Sequence, residues 1–331
     1  MINLEEPGKE ILESTIKENL KKRVWSLFEE NSSENSFNRQ KFPGSHPVSF
    51  AREHLVGNTK YLVCEKSDGV RYLLFIPNIP NSRGVNDVQS FLIDRKYRFW
   101  RIYIQVPSLL LKGDSIFDVE LVLDHETNKR ILIFDTLFSA GICFMRNNYF
   151  ERLQSAWYSL VYPVREAGKA SKVSVEVYLK DFFETTQIDY LWHHIMPKIP
   201  HKCDGLIFTA VDAEYILGSN PGILKWKPCE LNTLDFHIKV ASDNSYELCT
   251  LGRNLEKFSS MSNIGCIELN DGDIVECNLV NNKWNVLKKR SDKSTPNSTE
   301  VAQNVLKSIN DNVSIDEIIS VFQVVKRQKI S

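Results

Sequence analysis

The string at residues 66–71 carries the strongest chemical signal in the sequence. It reads Lys-Ser-Asp-Gly-Val-Arg and lies between two apolar runs typical of strands, at 61–64 and 72–76. Neighbouring cations and partial burial drive a lysine toward its neutral amine, which is a nucleophile. Gly69 permits a tight turn and a close approach to a ligand, and Arg71 offers a planar fork for phosphate or ribose oxygens. The string predicts a lysine nucleophile at Lys66, with an ordinary hairpin as the alternative.

Two stretches mix basic and aromatic residues. Residues 94–101 hold three arginines and a lysine around Tyr97, Phe99 and Trp100, and residues 283–293 hold four lysines and one arginine. Basic side chains suit phosphate contacts, and aromatic rings can stack on bases. Either stretch alone fits a solvated strand edge equally well.

The composition excludes several classes of protein. The chain has 331 residues and a formal net charge of -1, with 42% apolar residues, which is enough for a core. No apolar run approaches the ~20 residues of a membrane span, and the first residues have no signal-peptide pattern. The seven cysteines form no Cys-x-x-Cys pair. We therefore expect a reducing compartment, with neither a zinc site nor a disulfide framework.

The apolar patterns predict an α+β chain. Residues 1–40 contain an amphipathic helix, several short strands follow between 60 and 137, and a helix covers 148–162. Residues 234–287 read as about five short strands of a small barrel, and 299–329 as one or two closing helices. We predict a first domain at 1–232, a barrel domain at 233–297 and a helical segment at 298–331 that packs back on the first domain.

Several motifs recur in one order and carry a family resemblance. They are Phe-Pro-Gly-Ser-His-Pro-Val-Ser-Phe at 42–50, Leu-Ile-Asp-Arg-Lys at 92–96, Leu-Lys-Trp-Lys-Pro at 224–228, Asn-Thr-Leu-Asp-Phe at 232–236, and Trp284 followed by Arg290, Asp292 and Lys293. Together with the string at 66–71, this set resembles the covalent nucleotidyltransferases, and within them the mRNA guanylyltransferases of the fungal type. The resemblance covers residues 40–300.

The resemblance implies a fold and a two-step reaction. The fold would be a nucleotidyltransferase domain of antiparallel sheets with flanking helices, followed by an OB-fold barrel that closes over the nucleotide. Lys66 would attack the α-phosphate of GTP and release pyrophosphate. The GMP would then pass from the lysine to the 5′-diphosphate end of an RNA, which forms a 5′–5′ triphosphate cap.

The resemblance also implies roles for individual side chains. Phe134 would stack on guanine, and Lys180 would donate to its O6 atom. The remaining nucleotide-binding residues would contact the ribose and the phosphates; they are Glu65, Arg71, Arg95, Glu120, Asp204, Lys225, Lys227, Arg290, Asp292 and Lys293. Glu120, Asp204 and Asp235 would serve a Mg²⁺ or Mn²⁺ ion, since a triphosphate and oxygen ligands suit a hard cation.

The partners and location follow from the same resemblance. We expect a separate RNA 5′-triphosphatase subunit, docking on the phosphorylated C-terminal tail of RNA polymerase II, no membrane association, and a nuclear location. Val119 stands where the family usually has glycine, Lys288 where many relatives have arginine, and His46 where glutamine is commoner. Two alternatives stay open: an ATP-dependent polynucleotide ligase, and a non-catalytic relic of the fold that binds RNA or the polymerase.

Overall fold

Contacts divide the chain into two units. The computed structural model describes residues 3–31, 38–39, 41–79, 89–168, 174–241, 245–261, 268–291 and 293–328. The first unit comprises Met1–Val48 and Thr59–Lys225, and the second comprises Ser49–Asn58 and Trp226–Ser331. The predicted α+β class is confirmed, because all strand pairs with a described register are antiparallel except one.

The larger sheet of the first unit has eight strands. They are β1 (Lys9–Glu10), β4 (Val70–Ile76), β5 (Ser90–Ile93), β6 (Phe99–Ile102), β7 (Ser115–Leu123), β8 (Lys129–Ser139), β9 (Ile142–Cys143) and β10 (Glu176–Leu179). Their order is β1-β6-β5-β4-β7-β8-β10, and β9 pairs with β8. The edge strand β10 is parallel to β8. Alternation gives β4 and β7 one apolar face, which carries Leu74 and Val119, while Arg71, Asp118 and Glu120 lie on the other face.

The smaller sheet of the first unit has the order β11-β3-β12-β13-β2. Its strands are β2 (Ser45–Ser49), β3 (Tyr61–Ser67), β11 (Phe183–Glu184), β12 (Cys203–Ala210) and β13 (Gly218–Trp226). The predicted strand–turn–strand around Lys66 is confirmed, but β3 and β4 belong to different sheets and do not pair. Asp68 and Gly69 thus carry the chain from one sheet to the other. Lys66 lies at the end of β3, where the two sheets meet.

Helices cover both faces of the larger sheet. They are α1 (Ser14–Asn31) and the pair α2 (Tyr149–Ala156) and α3 (Tyr162–Ala167), which a π-helical turn at Trp157–Val161 joins. On one face, Val24 and Phe28 of α1 pack against Leu73 and Phe75. On the other face, Ala156 and the π-helical turn cover the alternate strand residues, among them Val119. The predicted helices near the N-terminus and at 148–162 are therefore confirmed.

Short helices occupy the connections of the chain. They are the 3₁₀ helices at Arg52–Leu55, Ser108–Lys112, Thr185–Gln187, Met196–Lys198 and Cys229–Leu231, the helix α4 (Ile188–Tyr190), and a π-helical turn at Leu191–Ile195. None of the described helices has the length and hydropathy that crossing a membrane requires.

The second unit contains the five strands that the sequence predicts after residue 232. They are β14 (Thr233–Val240), β15 (Tyr246–Leu251), β16 (Leu255–Met261), β17 (Ile274–Val280) and β18 (Lys283–Lys289), in the order β16-β15-β14-β17-β18. Three consecutive strands with the fourth beside the first form a Greek key, the plan of an OB fold. Among the described residues no pairing joins β16 to β18.

The helices α5 (Thr299–Asp311) and α6 (Ile315–Gln328) complete the second unit. Ala302 and Val305 of α5 join the apolar core of the five strands. Residues 49–58 belong to this unit although they come early in the chain, since Arg52 donates to Asp311 and pairs with Glu317 of α6. The domain limits predicted from the sequence stay a prediction.

Candidate active site

Lys66 is positioned by a β-bulge. In the ladder between β3 and β12, Cys203 pairs with Ser67 and Leu206 pairs with Glu65, so Asp204 and Gly205 together face Lys66. A bulge turns a side chain that regular alternation would place elsewhere. Here the Lys66 Nζ atom donates to Asp204 Oδ1 at 2.8 Å. The lysine and its carboxylate are each 23% exposed, so the candidate nucleophile is reachable from solvent.

Gly69 is needed where the chain crosses between the sheets. A Cβ atom at this position would lie 2.5 Å from the Leu121 carbonyl oxygen and 2.9 Å from Glu120 Cγ. Both distances are shorter than real Cβ contacts, and the first is to rigid backbone. Glycine is thus required here by the neighbouring strand, which brings Glu120 beside the end of β3; the close approach to a ligand stays a prediction.

Arg71 is held in a buried network. Its Nε atom donates to Asp118 Oδ1 at 2.8 Å and its Nη2 atom to Asp118 Oδ2 at 2.5 Å. The Tyr215 hydroxyl also donates to Asp118, at 2.5 Å. Burial alone would lower the pKa of Arg71, but Asp118 raises it above its ordinary value, so the arginine stays charged. The Asp118 carboxylate thereby holds the Arg71 guanidinium through its Nε and Nη2 donors. The Nη1 edge is left for other contacts.

Phe134 owes its position to a second bulge. In the ladder between β7 and β8, Asp118 pairs with Asp135 and Val119 with Ile133, so Phe134 is the extra residue. The Arg71 guanidinium lies 5.6 Å from the Phe134 ring centre and 5.6 Å from that of Phe42. Both contacts are favourable cation–π interactions. Together they restrict the orientation of the Arg71 guanidinium plane.

Val119 faces away from this network. Its side chain is fully buried in the core beneath the helices, whereas Asp118 and Glu120 project from the opposite face of β7. Burial raises the pKa of Glu120, against the opposing effect of Lys180 and Arg71. Val119 therefore contributes to the core, while Asp118 and Glu120 lie on the cleft face.

Replacing Val119 by glycine is expected to destabilise the protein without improving its chemistry. The change leaves a cavity and adds a flexible residue to a strand, so the free energy of unfolding should fall by about 2–4 kcal/mol. The rate of covalent nucleotide attachment to the folded protein should stay within about twofold of wild type. Urea unfolding measures the change in stability, and a labelling assay measures the rate.

Leu121→Ala, in the same core, is the control and should give a similar loss of stability. A large gain in labelling by the glycine variant would contradict this account.

Cations gather at one end of the site. Arg95 follows β5 in a turn that Asp94 stabilises by accepting from the backbone of Lys96 and Arg98. Burial and the charge of Arg71 lower the pKa of Arg95. Burial also lowers the pKa of His46, and Arg71, Arg95 and Lys225 lower it further. This end of the site is suited to phosphate oxygens.

Lys180 and Glu65 form a buried pair behind the nucleophile. The Lys180 Nζ atom lies 3.1 Å from Glu65 Oε1 and donates to the Glu65 carbonyl oxygen at 2.9 Å. His201 Nε2 lies 3.4 Å from the same carboxylate oxygen. Burial alone would raise the pKa of Glu65, but Lys180 and His201 lower it to about 2. The pair is ionised in the whole physiological range of pH.

Many of the predicted site residues line one cleft of about 230 Å³, whereas Glu65, Asp204 and Lys225 are not among its lining residues. It is bounded by ten residues of this site: Ser45, Lys66, Ser67, Gly69, Arg71, Arg95, Asp118, Glu120, Phe134 and Lys180. A larger cavity of about 650 Å³ lies beside β10, and its wall is mainly apolar, with Trp157 and Val164 among its residues. None of the predicted site residues lines it. We therefore assign the chemistry to the smaller cleft, which contains the nucleophile.

Asp235 of the second unit is neutralised by cations. Arg290 Nη1 lies 3.1 Å from Asp235 Oδ1, and Lys293 pairs with the other carboxylate oxygen. Glu276 accepts from Arg290 and also pairs with Lys288 at 3.2 Å. A carboxylate that two cations already balance is a poor ligand for a metal ion. Asp292 lies outside the described residues.

The two lysines of the string at 224–228 belong to different units. Lys225 ends the first unit, and Lys227 lies in the second, after Trp226. The Trp226 side chain is buried and donates from Nε1 to the Val313 carbonyl oxygen at 2.8 Å. The tryptophan thus anchors the end of β13 within the second unit.

Sequence reasoning missed three residues of the site. The sequence-based prediction assigns no role to Asp118, Tyr215 or His201. Tyr215 joins Asp118 and also accepts from the backbone N–H of Ser45 at 3.1 Å. Such contacts join residues more than 90 positions apart, so no local pattern signals them. A buried tyrosine hydroxyl needs a partner, and that is the only hint a sequence carries.

Two sequence profiles of known families match the chain. One, described as the catalytic domain of mRNA capping enzyme, matches residues 3–229. The other, described as the C-terminal domain of mRNA capping enzyme, matches residues 231–319. Together they cover both units.

Several curated proteins are similar over most of the chain. The mRNA-capping enzyme subunit alpha of Schizosaccharomyces pombe is 32% identical over 326 residues, which covers 86% of this chain and 81% of that protein. The protein of the same name from Neurospora crassa is 28% identical and covers 86% and 85%. The mRNA-capping enzyme of Caenorhabditis elegans is 27% identical, and the match covers 82% of this chain but 47% of that protein.

The solved structures give a more distant likeness. A mycobacterial DNA ligase D complexed with ATP and MES has 14% sequence identity and a TM-score of 0.42, and the match covers 78% of this chain and 97% of that one. That likeness is too distant to carry an argument. The match to the catalytic-domain profile spans well over half of the chain, and the fungal relative supports it independently. The chain therefore belongs to the mRNA capping enzyme family, and it is a nucleotidyltransferase.

Proposed function

We propose that this protein is a GTP:RNA guanylyltransferase that works through a covalent lysine–GMP intermediate. The observation that carries the proposal is the position of Lys66, at the end of β3 in a cleft that also presents Arg71, Arg95 and Phe134. A nucleophile, phosphate-binding cations and an aromatic ring in one cleft are what transfer of a nucleotide requires. The names of the relatives support mRNA capping in particular.

In the first step, Lys66 Nζ attacks the α-phosphorus of GTP. A P–N bond forms, the bond from the α-phosphorus to the bridging oxygen breaks, and pyrophosphate leaves. The amine must first lose a proton, and Asp204 Oδ1 is its hydrogen-bond acceptor at 2.8 Å. Charge on the transferring phosphoryl group is balanced by cations. Arg71, Arg95, Lys225 and Lys227 would supply them.

In the second step, a terminal oxygen of an RNA 5′-diphosphate attacks the same phosphorus. The P–N bond breaks, the Lys66 amine is regenerated, and the product is a 5′–5′ triphosphate. Because the reaction has two steps, one cleft can recognise the guanine base in the first step and the RNA end in the second. Arg290, Asp292 and Lys293 would supply contacts to the β- and γ-phosphates in the first step.

A divalent cation, Mg²⁺ or Mn²⁺, fits the donor set of the cleft. Among the described residues, no group of three or more His, Cys, Asp or Glu side chains is arranged to hold a metal ion. Mg²⁺ is commonly bound by one or two carboxylates together with substrate phosphates and water. Glu120 and Asp204 would hold it, and it would supply positive charge to the phosphates. Asp235 remains the weakest candidate ligand.

The remaining proposals concern partners and location. An RNA 5′-diphosphate end has to be made from a triphosphate end, so we propose a separate RNA 5′-triphosphatase subunit. The relatives named as subunit alpha support a partner subunit. Action on nascent mRNA also supports a nuclear location and docking on the phosphorylated tail of RNA polymerase II.

The RNA step can be tested by chemistry at the RNA end. The lysine–GMP adduct is formed, freed of GTP, and mixed with one RNA that bears a 5′-diphosphate, a 5′-triphosphate or a 5′-monophosphate. We expect rapid transfer to the diphosphate RNA only, because it alone supplies the two phosphates that complete the cap. Thin-layer analysis of nuclease digests identifies the product. Transfer to the monophosphate RNA with equal efficiency would contradict the capping assignment.

A further inference from the structure

The buried ion pair behind Lys66 has a geometry that bears on base selection. Lys180 is 8% exposed, and two of its contacts go to one residue, the Glu65 carboxylate and the Glu65 carbonyl group. That carbonyl belongs to the peptide bond that joins Glu65 to Lys66. The ammonium of Lys180 is thereby clamped to the backbone of the nucleophile.

His201 holds the carboxylate of this pair. Its Nε2 atom lies 3.4 Å from Glu65 Oε1 and 3.3 Å from Ser67 Oγ, and Ser67 itself donates to the carboxylate at 3.1 Å. His201 is itself fixed, since it forms a β-bridge with Asp124. The Glu65 carboxylate is thus contacted by Lys180, Ser67 and His201 together, and such a shared network restrains its orientation.

Lys180 lies between two cavities. It lines the cleft that contains Lys66, and it also lines a smaller cavity of about 170 Å³ together with Glu65, His201 and Asp181. A long, flexible lysine side chain with space on both sides needs a partner to fix its ammonium. The contacts with Glu65 provide that partner.

We propose that Glu65 and His201 are positioning residues for base selection, because they hold the Lys180 ammonium at the nucleotide cleft, where it donates to the 6-oxo group of guanine. The proposal rests on the proposed function, in which GTP is the substrate. An ammonium has three donors. Glu65 engages two, and the third can serve the base. A buried donor that is aimed at an acceptor also disfavours the binding of a base that lacks this acceptor.

The test compares two nucleotides that differ at the 6-position of the base, where loss of the oxo group also converts N1 from a donor to an acceptor. GTP carries the 6-oxo group, and 2-aminopurine ribonucleoside triphosphate lacks it. The kcat/KM of wild type for covalent attachment should be about tenfold to a hundredfold higher with GTP than with the analogue. This is the difference expected from one hydrogen bond with a charged donor. Glu65→Gln removes the counter-charge of Lys180, so this preference should fall to within about threefold, mainly through loss of activity with GTP.

Variants of His201 extend the test if the Glu65 variant fails to fold. His201→Ala should reduce the preference for GTP, and His201→Gln, whose amide can still donate to Glu65, should restore most of it. Lys180→Met should abolish the preference, and adding Glu65→Gln to it should change the preference no further. Asp189→Asn is a matched control, because it breaks an exposed carboxylate–histidine pair with His193. It should leave the preference unchanged.

The outcomes separate this proposal from the proposed function. If wild type forms an adduct with GTP but the Glu65 and His201 variants lose activity equally with both nucleotides, the two residues are merely structural and the proposal is overturned. If inosine triphosphate, which keeps the 6-oxo group, is discriminated as strongly as 2-aminopurine ribonucleoside triphosphate, the donor does not read that group. If wild type forms no adduct with GTP at all, the proposed function itself fails.

Discussion

Replacing Lys66 with arginine or alanine is expected to abolish covalent attachment of GMP. Arginine keeps the positive charge and can still pair with Asp204, but its guanidinium does not deprotonate and is no nucleophile. Alanine removes the group altogether. Intact-mass spectrometry after incubation with GTP should show the adduct in wild type and none in either variant. Peptide mapping of the wild-type adduct should place the nucleotide on the peptide that contains Lys66.

The same variants should remain folded. The Lys66–Asp204 pair is part-exposed, and pairs of this kind contribute about 0–1 kcal/mol. The urea midpoint should therefore change little. Lys60→Ala is the matched control, since Lys60 is an exposed lysine directly before the same strand. It should label like wild type. An adduct in the Lys66→Arg variant, or on another peptide, would show that a different residue is the nucleophile.

Replacing Asp118 with asparagine is expected to damage both stability and chemistry. Asp118 is fully buried and is the only carboxylate recorded in hydrogen-bond contact with Arg71 among the described residues. Its loss leaves a buried guanidinium without its hydrogen-bonded counter-charge, which costs about 3–5 kcal/mol. The Arg71 fork would also lose its orientation, so adduct formation by the folded fraction should fall at least tenfold. Urea unfolding and single-turnover labelling measure the two effects.

Two milder variants calibrate this result. Tyr215→Phe removes one hydrogen bond to Asp118 and leaves the ion pair, so it should cost about 1–3 kcal/mol. Glu247→Gln breaks the exposed pair with Lys257 and should cost less than about 1 kcal/mol. An Asp118→Asn protein as stable and as active as wild type would mean that the network around Arg71 neither supports the fold nor orients the fork.

The strands were predictable because their side chains repeat locally. The apolar series of β4, β7 and β8 and the helix predicted at 148–162 follow from alternation and helical periodicity. The turn between β17 and β18 is also visible in the sequence, where Asn281 and Asn282 adopt the positive φ angles that a two-residue hairpin needs. Short elements such as β2 and β11, which pack only through tertiary contacts, carry no such signal.

The crossing between sheets at Gly69 was not predictable from local pattern. Two strands around a short turn normally pair as a hairpin, and only long-range ladders decide that β3 pairs with β12 while β4 pairs with β7. The bulges that turn Asp204 and Phe134 toward the cleft are equally invisible, because each depends on the register of a distant partner. The resemblance implies that Lys180 reads the base, but only the structure shows that Glu65 pairs with Lys180 and also contacts His201, which joins positions 65, 180 and 201.

The most direct measurement is incubation of the purified protein with GTP or ATP labelled at the α-phosphate, followed by denaturing electrophoresis. The account predicts a labelled protein band from GTP and none from ATP. The bond should survive alkali and break in acid, as a phosphoramidate does. A band from ATP instead would indicate a polynucleotide ligase. The absence of a band from either nucleotide would contradict the account and indicate a binding module without covalent chemistry.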